Sequence, residues 1–364
     1  MRNRRVLIGG GAAVLVVVLV AATWSLWHSA KTTPGPAAAG PPPPPSVHFA
    51  VASKTDLPAT APGSHKCAAA NGQCTLRAAV QEGGQDVAVQ RATVVTIDLP
   101  TGTYKLNSVL AISRGSVTIV GDDRTTTIID AGGSDRAFDV ASGASLTLRN
   151  LKITNASTTA EGGAIRAADS TLTLDSVAVT DSVAADNGGA IFAAVSKVTV
   201  TGSLFDQDSA RSGGAIATTG GTLSLSSTTF TNSAASTDGG AISVVSATSL
   251  DVNGCTFTSD VAQRSGGAVS LAEADGNPTY TVTGSTFTTD RAEGGNGGGI
   301  AADALVSATG HAGLKVTGST FNGDRAEGAG GAIAVPTKSI LRESGNTYQH
   351  NDAPTDADVS APSP

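Results

Sequence analysis

The chain has 364 residues, of which 44 are glycine, 15% are charged and 4% are aromatic, and its formal net charge is −7. Glycine without a triplet period, beside a 40% apolar content, excludes a collagen and a largely disordered chain. Five basic residues, Arg2, Arg4, Arg5, Lys31 and Lys54, precede the first acidic one, Asp56, so the remainder is strongly acidic and would repel a phosphate backbone.

Met1–Arg5 is basic, and Val6–Trp27 is a run of 22 residues without a charge. At about 1.5 Å per residue such a run makes ~33 Å of helix, enough to cross a hydrocarbon core of about 30 Å. The basic flank would stay in the cytoplasm, with Trp24 and Trp27 at the far interface. Residues 1–30 therefore read as a signal-anchor or transmembrane segment, and a retained anchor is favoured because a cleaved signal has an apolar region of about 7 to 15 residues. Cleavage after Ala30 or within Ala37–Ala39 would instead release a secreted protein. In both cases the rest of the chain is exported, either as an extracellular domain on a single-pass anchor or free. Residues 31–46, KTTPGPAAAGPPPPPS, favour extended polyproline II and form a stiff linker.

Residues 47–92 are expected to form an N-terminal cap. Cys67 and Cys74 flank the turn signal Asn71-Gly72, and an exported chain sits where disulfides persist, so this pair is the disulfide candidate. Cys255 takes a slot that Ser203, Ser285 and Ser319 hold in parallel stretches, which marks a small buried residue and not a nucleophile.

From residue 93 to 350 the organising feature is repetition. GGAI or a close variant starts at Gly162, Gly188, Gly213, Gly239, Gly266, Gly297 and Gly330, at intervals of 26, 25, 26, 27, 31 and 33 residues. Each unit carries an apolar stretch after the glycines, an alternating stretch such as TLTL or KVTV, and a stretch ending in Phe205, Phe230, Phe257, Phe287 or Phe321. Three short strands and three corners are too few for a propeller blade and lack helical periodicity, but they fit one coil of a parallel β-helix. Inward rows would be Ile165, Ile191, Ile216, Ile242, Val269, Ile300 and Ile333, then Leu174, Val200, Leu225, Val252, Val282 and Val316, then the phenylalanines. The paired glycines mark tight bends; no helix or lysine follows them, which excludes a nucleotide loop.

A polar row is expected at the corner five to seven residues before each GGAI: Asn155, Asp181, Asp208, Asn232, Asp260, Asp290 and Asp324. Short Asx side chains stabilise turns by bonding nearby backbone. Arg211, Arg264, Arg291 and Arg325 follow closely, so an edge of neutralising Asp and Arg is the preferred reading. Calcium along the row is the sharper alternative, weakened because a calcium site needs six to eight converging oxygens. No other metal or cofactor is implied. Residues 351–364 read as a disordered acidic tail.

The GGAI tetrapeptides with FxxN- or FxxD-like partners resemble the repeats of polymorphic outer-membrane proteins, and the coil pattern is similar to the right-handed parallel β-helix of the pectin-lyase-like superfamily. CTLRAAV (74–80) resembles the CSLREAI segment that opens many exported bacterial β-helix proteins, followed here by VVTIDL (94–99), GTYKL (102–106) and LRNLKIT (148–154). Ala78 stands where that pattern has Glu and Val80 where it has Ile. The resemblance implies an all-β fold, a right-handed parallel β-helix of about ten coils, with a short capping helix in CTLRAAV.

Superfamily members that cleave polysaccharides carry clustered carboxylates, or carboxylate-bound calcium with a basic residue. The outward rows here, Arg166, Phe192, Ala217, Ser243, Ser270, Ala301 and Ala334, and Thr173, Thr199, Ser224, Asp251, Thr281 and Lys315, contain no such cluster on adjacent coils, so no catalytic residue is assigned. The two long intervals insert LAEADGNPTY (271–280) and ADALVSATGHAGL (302–314) at one corner of consecutive coils, and Glu273, Asp275, Asn277, Asp303 and His311 become the ligand-binding candidates. The expected function is a non-catalytic cell-surface scaffold, adhesin-like, binding carbohydrate or a surface protein. A polysaccharide lyase or glycoside hydrolase is the alternative.

Overall fold

Alternation of apolar and polar residues with period two makes strands, and each strand pairs in parallel with its counterpart one repeat later. The computed structural model describes residues 46–64, 66–86, 94–274, 278–307, 313–337 and 340–361. The expected segment at 1–30 and all of the expected linker 31–46 but Ser46 lie outside them; among the described residues no helix is long and apolar enough to cross a membrane. The strands form a parallel β-solenoid. Its long sheet has eleven strands, from Ser46–Ala50 to Leu341–Ser344. A phenylalanine sheet of ten strands runs from Gly102–Lys105 to Thr347–Gln349, and an isoleucine sheet of ten from Leu110–Ile112 to Val359–Ser360. Adjacent strands lie about 4.8 Å apart, so the long sheet spans ~48 Å.

Three strands per coil proved one too few. A fourth sheet of seven two-residue strands, from Ser157–Thr158 to Arg325–Ala326, lies in sequence between the phenylalanine and isoleucine strands. Its signal was the alanine recurring at Ala184, Ala210, Ala235, Ala262, Ala292 and Ala326, each buried. The C-terminus also differs from expectation. Instead of a disordered tail, Asp352 bridges Arg325, Thr355 bridges Ala329, and Val359–Ser360 pairs with Ile333–Ala334, so residues 351–361 trace the last coil.

The three inward rows are fully buried. Phe205, Phe230, Phe257, Phe287 and Phe321 stack with ring centroids 4.6 to 5.0 Å apart, and Tyr348 extends the stack at 5.5 Å. The glycine pairs are demanded by the corner. Gly239 has φ +69°, and a Cβ on Gly240 would overlap the carbonyl oxygen of Gly267 in the next coil.

At the N-terminal end, Ser46–Ala50 pairs in register with Val94–Leu99 and adds a strand before the first coil. The helix Leu76–Asp86 begins at Thr75, whose Oγ1 accepts the Ala78 N–H at 3.0 Å and donates to the Leu57 carbonyl at 2.6 Å. Ala78 is wholly buried, and Thr75 caps without a Glu three residues on. Leu76, Ala79 and Val80 form the buried face that the sequence implied. Arg77 ties this cap to the solenoid: its guanidinium meets Asp56 with two bonds of 2.8 Å and donates to the Ser108 and Val109 carbonyls at 2.6 and 3.0 Å. Cys67 and Cys74 are joined in a disulfide.

Candidate functional site

The repeat breaks where the sequence indicated. Strands in this position are three or four residues long in earlier coils, as in Phe138–Val140 and Ile242–Val245, but Val269–Ala274 and Ile300–Ser307 have six and eight. They run side by side. Val269 pairs with Ile300 and Ser270 with Ala301, after which Ala272 meets Ala304 and Ala274 meets Ser307, so two irregularities absorb the extra residues of the longer strand. Tyr280, fully buried, anchors the return of the first insertion by donating its hydroxyl to the Ala247 carbonyl at 2.8 Å. Glu273 and Asp303 lie on these two adjacent strands. Asp275, Asn277 and His311 lie outside the described residues.

The outward row of the isoleucine sheet is not an open face. Phe192, Ala217, Ser243, Ser270, Ala301 and Ala334 are 0 to 7% exposed, and Arg166 is held by Asp139 at 3.2 Å. The other two large sheets do present outward residues. On the long sheet Thr96, Thr118, Thr147, Thr173, Thr199 and Ser224 stand in register, one per coil, before Asp251, Thr281 and Lys315 continue the row. On the phenylalanine sheet, Thr229 and Thr231, Thr256 and Thr258, and Thr286 and Thr288 flank successive phenylalanines in register. Sequence reasoning missed this second hydroxyl array, although the tripeptide Thr-Phe-Thr recurs three times.

The expected Asx row divides into two rows one residue apart. Asn155, Asp181 and Asn232 occupy the corner itself with φ of 53°, 56° and 54°, where Asn and Asp tolerate the left-handed conformation. Asp208, Asp260, Asp290 and Asp324 are the next residue along, turned inward and fully buried, in a row that Ser182, Ser233 and Asn351 share. Each of these acids reaches down one coil. Asp208 Oδ1 accepts the Ser182 N–H at 2.9 Å, Asp260 that of Ser233 at 2.8 Å, Asp290 that of Asp260 at 2.9 Å and Asp324 that of Asp290 at 2.9 Å. The second carboxyl oxygen of all four is buried with no hydrogen-bond partner among the described residues.

Burial is the main cause that raises their pKa values, since low polarity disfavours the charged form. Asp260 is pushed up to about 7 and Asp324 to about 8. Asp208 lies well above the carboxylate range, raised further by Asp181 and Asp206, and so does Asp290, between Asp260 and Asp324. A matching row of small polar residues marks the other end of the phenylalanine strands: Ser203, Ser285 and Ser319 accept the N–H groups of Val177, Cys255 and Ser285. Cys255 sits in that row, its thiol pKa raised by burial, which is the environment of an inert cysteine.

The neutralising Asp and Arg edge is overturned by these contacts. Arg264 pairs with Asp238 at 3.5 Å, Arg291 with Glu293 at 3.0 Å, and Arg325 with Glu327 at 2.6 Å and Asp352 at 3.7 Å. These arginines point outward, away from the buried acids. Arg291, Ala292, Glu293, Arg325 and Glu327 line an open cavity of about 300 Å³. Among the described residues, no group of three or more His, Cys, Asp or Glu side chains is placed to hold a metal ion. The chain matches no family model, no curated protein and no solved structure.

Proposed function

We propose that this protein is an exported, surface-displayed solenoid scaffold that binds a glycan or a surface protein without transforming it, through the paired strands Val269–Ala274 and Ile300–Ser307 and the insertions they carry. The observation that carries this reading is the break itself: two consecutive coils lengthen at one corner, where Val269–Ala274 and Ile300–Ser307 pair side by side on an otherwise regular stack. Glu273, Asp275, Asn277, Asp303 and His311 supply the polar groups of the binding surface. Export is supported by the uncharged run Val6–Trp27 and by the Cys67–Cys74 disulfide, which belongs to an oxidising compartment. The GGAI repeats and CTLRAAV segment, now on a parallel solenoid with its capping helix, support kinship with pectin-lyase-like exported β-helix proteins. The test is incubation of Ser46–Pro364 with a panel of acidic and neutral polysaccharides, with calcium or with chelator, following polymer size by chromatography. Co-elution with an unshortened polymer is the expected result. Shortened chains would overturn it in favour of a lyase, if calcium is required, or a hydrolase.

A further inference from the structure

Asp260, Asp290 and Asp324 follow one another in consecutive coils, with strands about 4.8 Å apart, and each keeps one carboxyl oxygen sealed from water without a partner among the described residues. Among the described residues no cation compensates them. Arg291 and Arg325, next in the chain, are engaged outward with Glu293, Glu327 and Asp352. The charged groups felt from neighbouring elements are acidic: Asp206 for Asp260, Asp260 and Asp324 for Asp290, and, below, Asp181 and Asp206 for Asp208. Above the stack, Asp358 bonds the Asn351 amide at 3.0 Å. Three carboxylates so placed cannot all carry charge.

The last coil shows which chemistry the position accepts. Asn351 Oδ1 accepts the Asp324 N–H at 3.0 Å while its Nδ2 donates to the Phe321 carbonyl at 3.2 Å. Asn346, at the other end of the same strand, likewise accepts from Ser319 N–H at 3.0 Å and donates to the Val316 carbonyl at 3.1 Å. An amide therefore holds one N–H and one C=O of the coil below at once. A protonated carboxyl has the same two functions, whereas a carboxylate can only accept.

We propose that Asp260, Asp290 and Asp324 are neutral, proton-held rungs, whose Oδ2–H groups donate to the carbonyls of Phe230, Phe257 and Phe287, and that loss of those protons parts the coils they join. The stack is an alkali-sensitive clasp in the C-terminal half of the solenoid. Its sign is fixed by the folded values of about 7 for Asp260 and about 8 for Asp324, both above the unfolded value near 4. The native state then holds protons that the unfolded chain has released, so the contribution is complete below about pH 4 and is lost as pH rises to the folded values. Each held proton lowers the folding equilibrium constant about tenfold per pH unit across that window.

The test is urea unfolding of the full chain from pH 5 to pH 9, beside Asp260→Asn/Asp290→Asn/Asp324→Asn, with infrared spectra of the native protein. The wild-type midpoint should fall with pH, the variant should lose most of that slope, and a protonated-carboxyl carbonyl band should be present at pH 6 and fade by pH 9. A wild-type midpoint that does not fall, or an unchanged slope in the variant, would overturn the clasp. Should the triple variant not fold, Asp324→Asn alone, which copies the Asn351 rung, and the infrared band decide; a native protein without that band at pH 6 refutes the proposal.

Discussion

The contact between cap and solenoid can be broken at one side chain. Arg77 and Asp56 are nearly buried, with side-chain exposures of 12% and 3%, and Asp56 also accepts the Asn107 N–H at 2.7 Å. Arg77→Ala leaves a buried carboxylate without its cation and two carbonyls, of Ser108 and Val109, without their donor. Removing one partner of a buried pair costs about 3–5 kcal/mol, because the remaining charge keeps its desolvation penalty. Asp56→Ala should cost a similar amount for the converse reason. The double variant removes both charges together, so its loss should fall short of the sum of the singles by about 2 kcal/mol or more. Arg149 and Asp175, 3.7 Å apart with side chains about half exposed, provide the contrast: Arg149→Ala should cost no more than ~0.5 kcal/mol. Urea unfolding followed by circular dichroism gives all four numbers. A loss below about 1 kcal/mol for Arg77→Ala, or strict additivity in the cycle, would refute the reasoning. Because solenoid stability sums nearest-neighbour interfaces, a loosened cap should also uncover strand edges and promote aggregation.

Phe257 lies between Phe230 and Phe287 at 4.9 and 4.6 Å, so Phe257→Ala should cost about 3–5 kcal/mol. Phe257→Leu, which fills more of the space but loses two ring contacts of ~0.5–1.5 kcal/mol each, should fall between alanine and wild type in the same unfolding assay; a leucine variant as weak as alanine would count against that ranking. At the C-terminal end Glu343 stands in register with Val316 and Tyr348 with Phe321, and the tyrosine hydroxyl donates to Glu343 Oε2 at 2.6 Å. This polar pair should deter end-to-end stacking, as terminal repeats of solenoids do. Glu343→Val with Tyr348→Phe is therefore expected to self-associate with rising concentration in light scattering, and a variant as monodisperse as wild type would dismiss the role.

The fold was legible because a solenoid states its geometry once per coil. A strand face, a tight corner and a core stack each recur at the same offset, so Ile191, Val200 and Phe205 could be placed by repetition without knowledge of their neighbours. What repetition could not resolve was position within a corner. Counting two or three residues from each phenylalanine, or from Ile153 and Val179 in its place, merged Asn155, Asp181 and Asn232 with Asp208, Asp260, Asp290 and Asp324, although one step of backbone separates a left-handed corner from the interior. A fixed count of three would have isolated the inward row, with Ser233 and Asn351 as members, and the arginines would then not have been assigned to it. The two-residue strands escaped for a related reason, since two residues are too short to display alternation.

The candidate binding corner was located by the opposite signal, the interruption of the period. Periodicity says where a chain departs from its repeat but nothing about what the added residues recognise, because insertions are free of the spacing that constrains every coil. The most ordered chemistry in the molecule, the buried acid stack, therefore lies where sequence periodicity is strong, while the surface proposed for recognition lies where it fails. Scaffold and site thus obey separate constraints: a substitution at Asp290 should be felt through coil stability and its pH dependence, and one at Asp303 through ligand capture with stability unchanged.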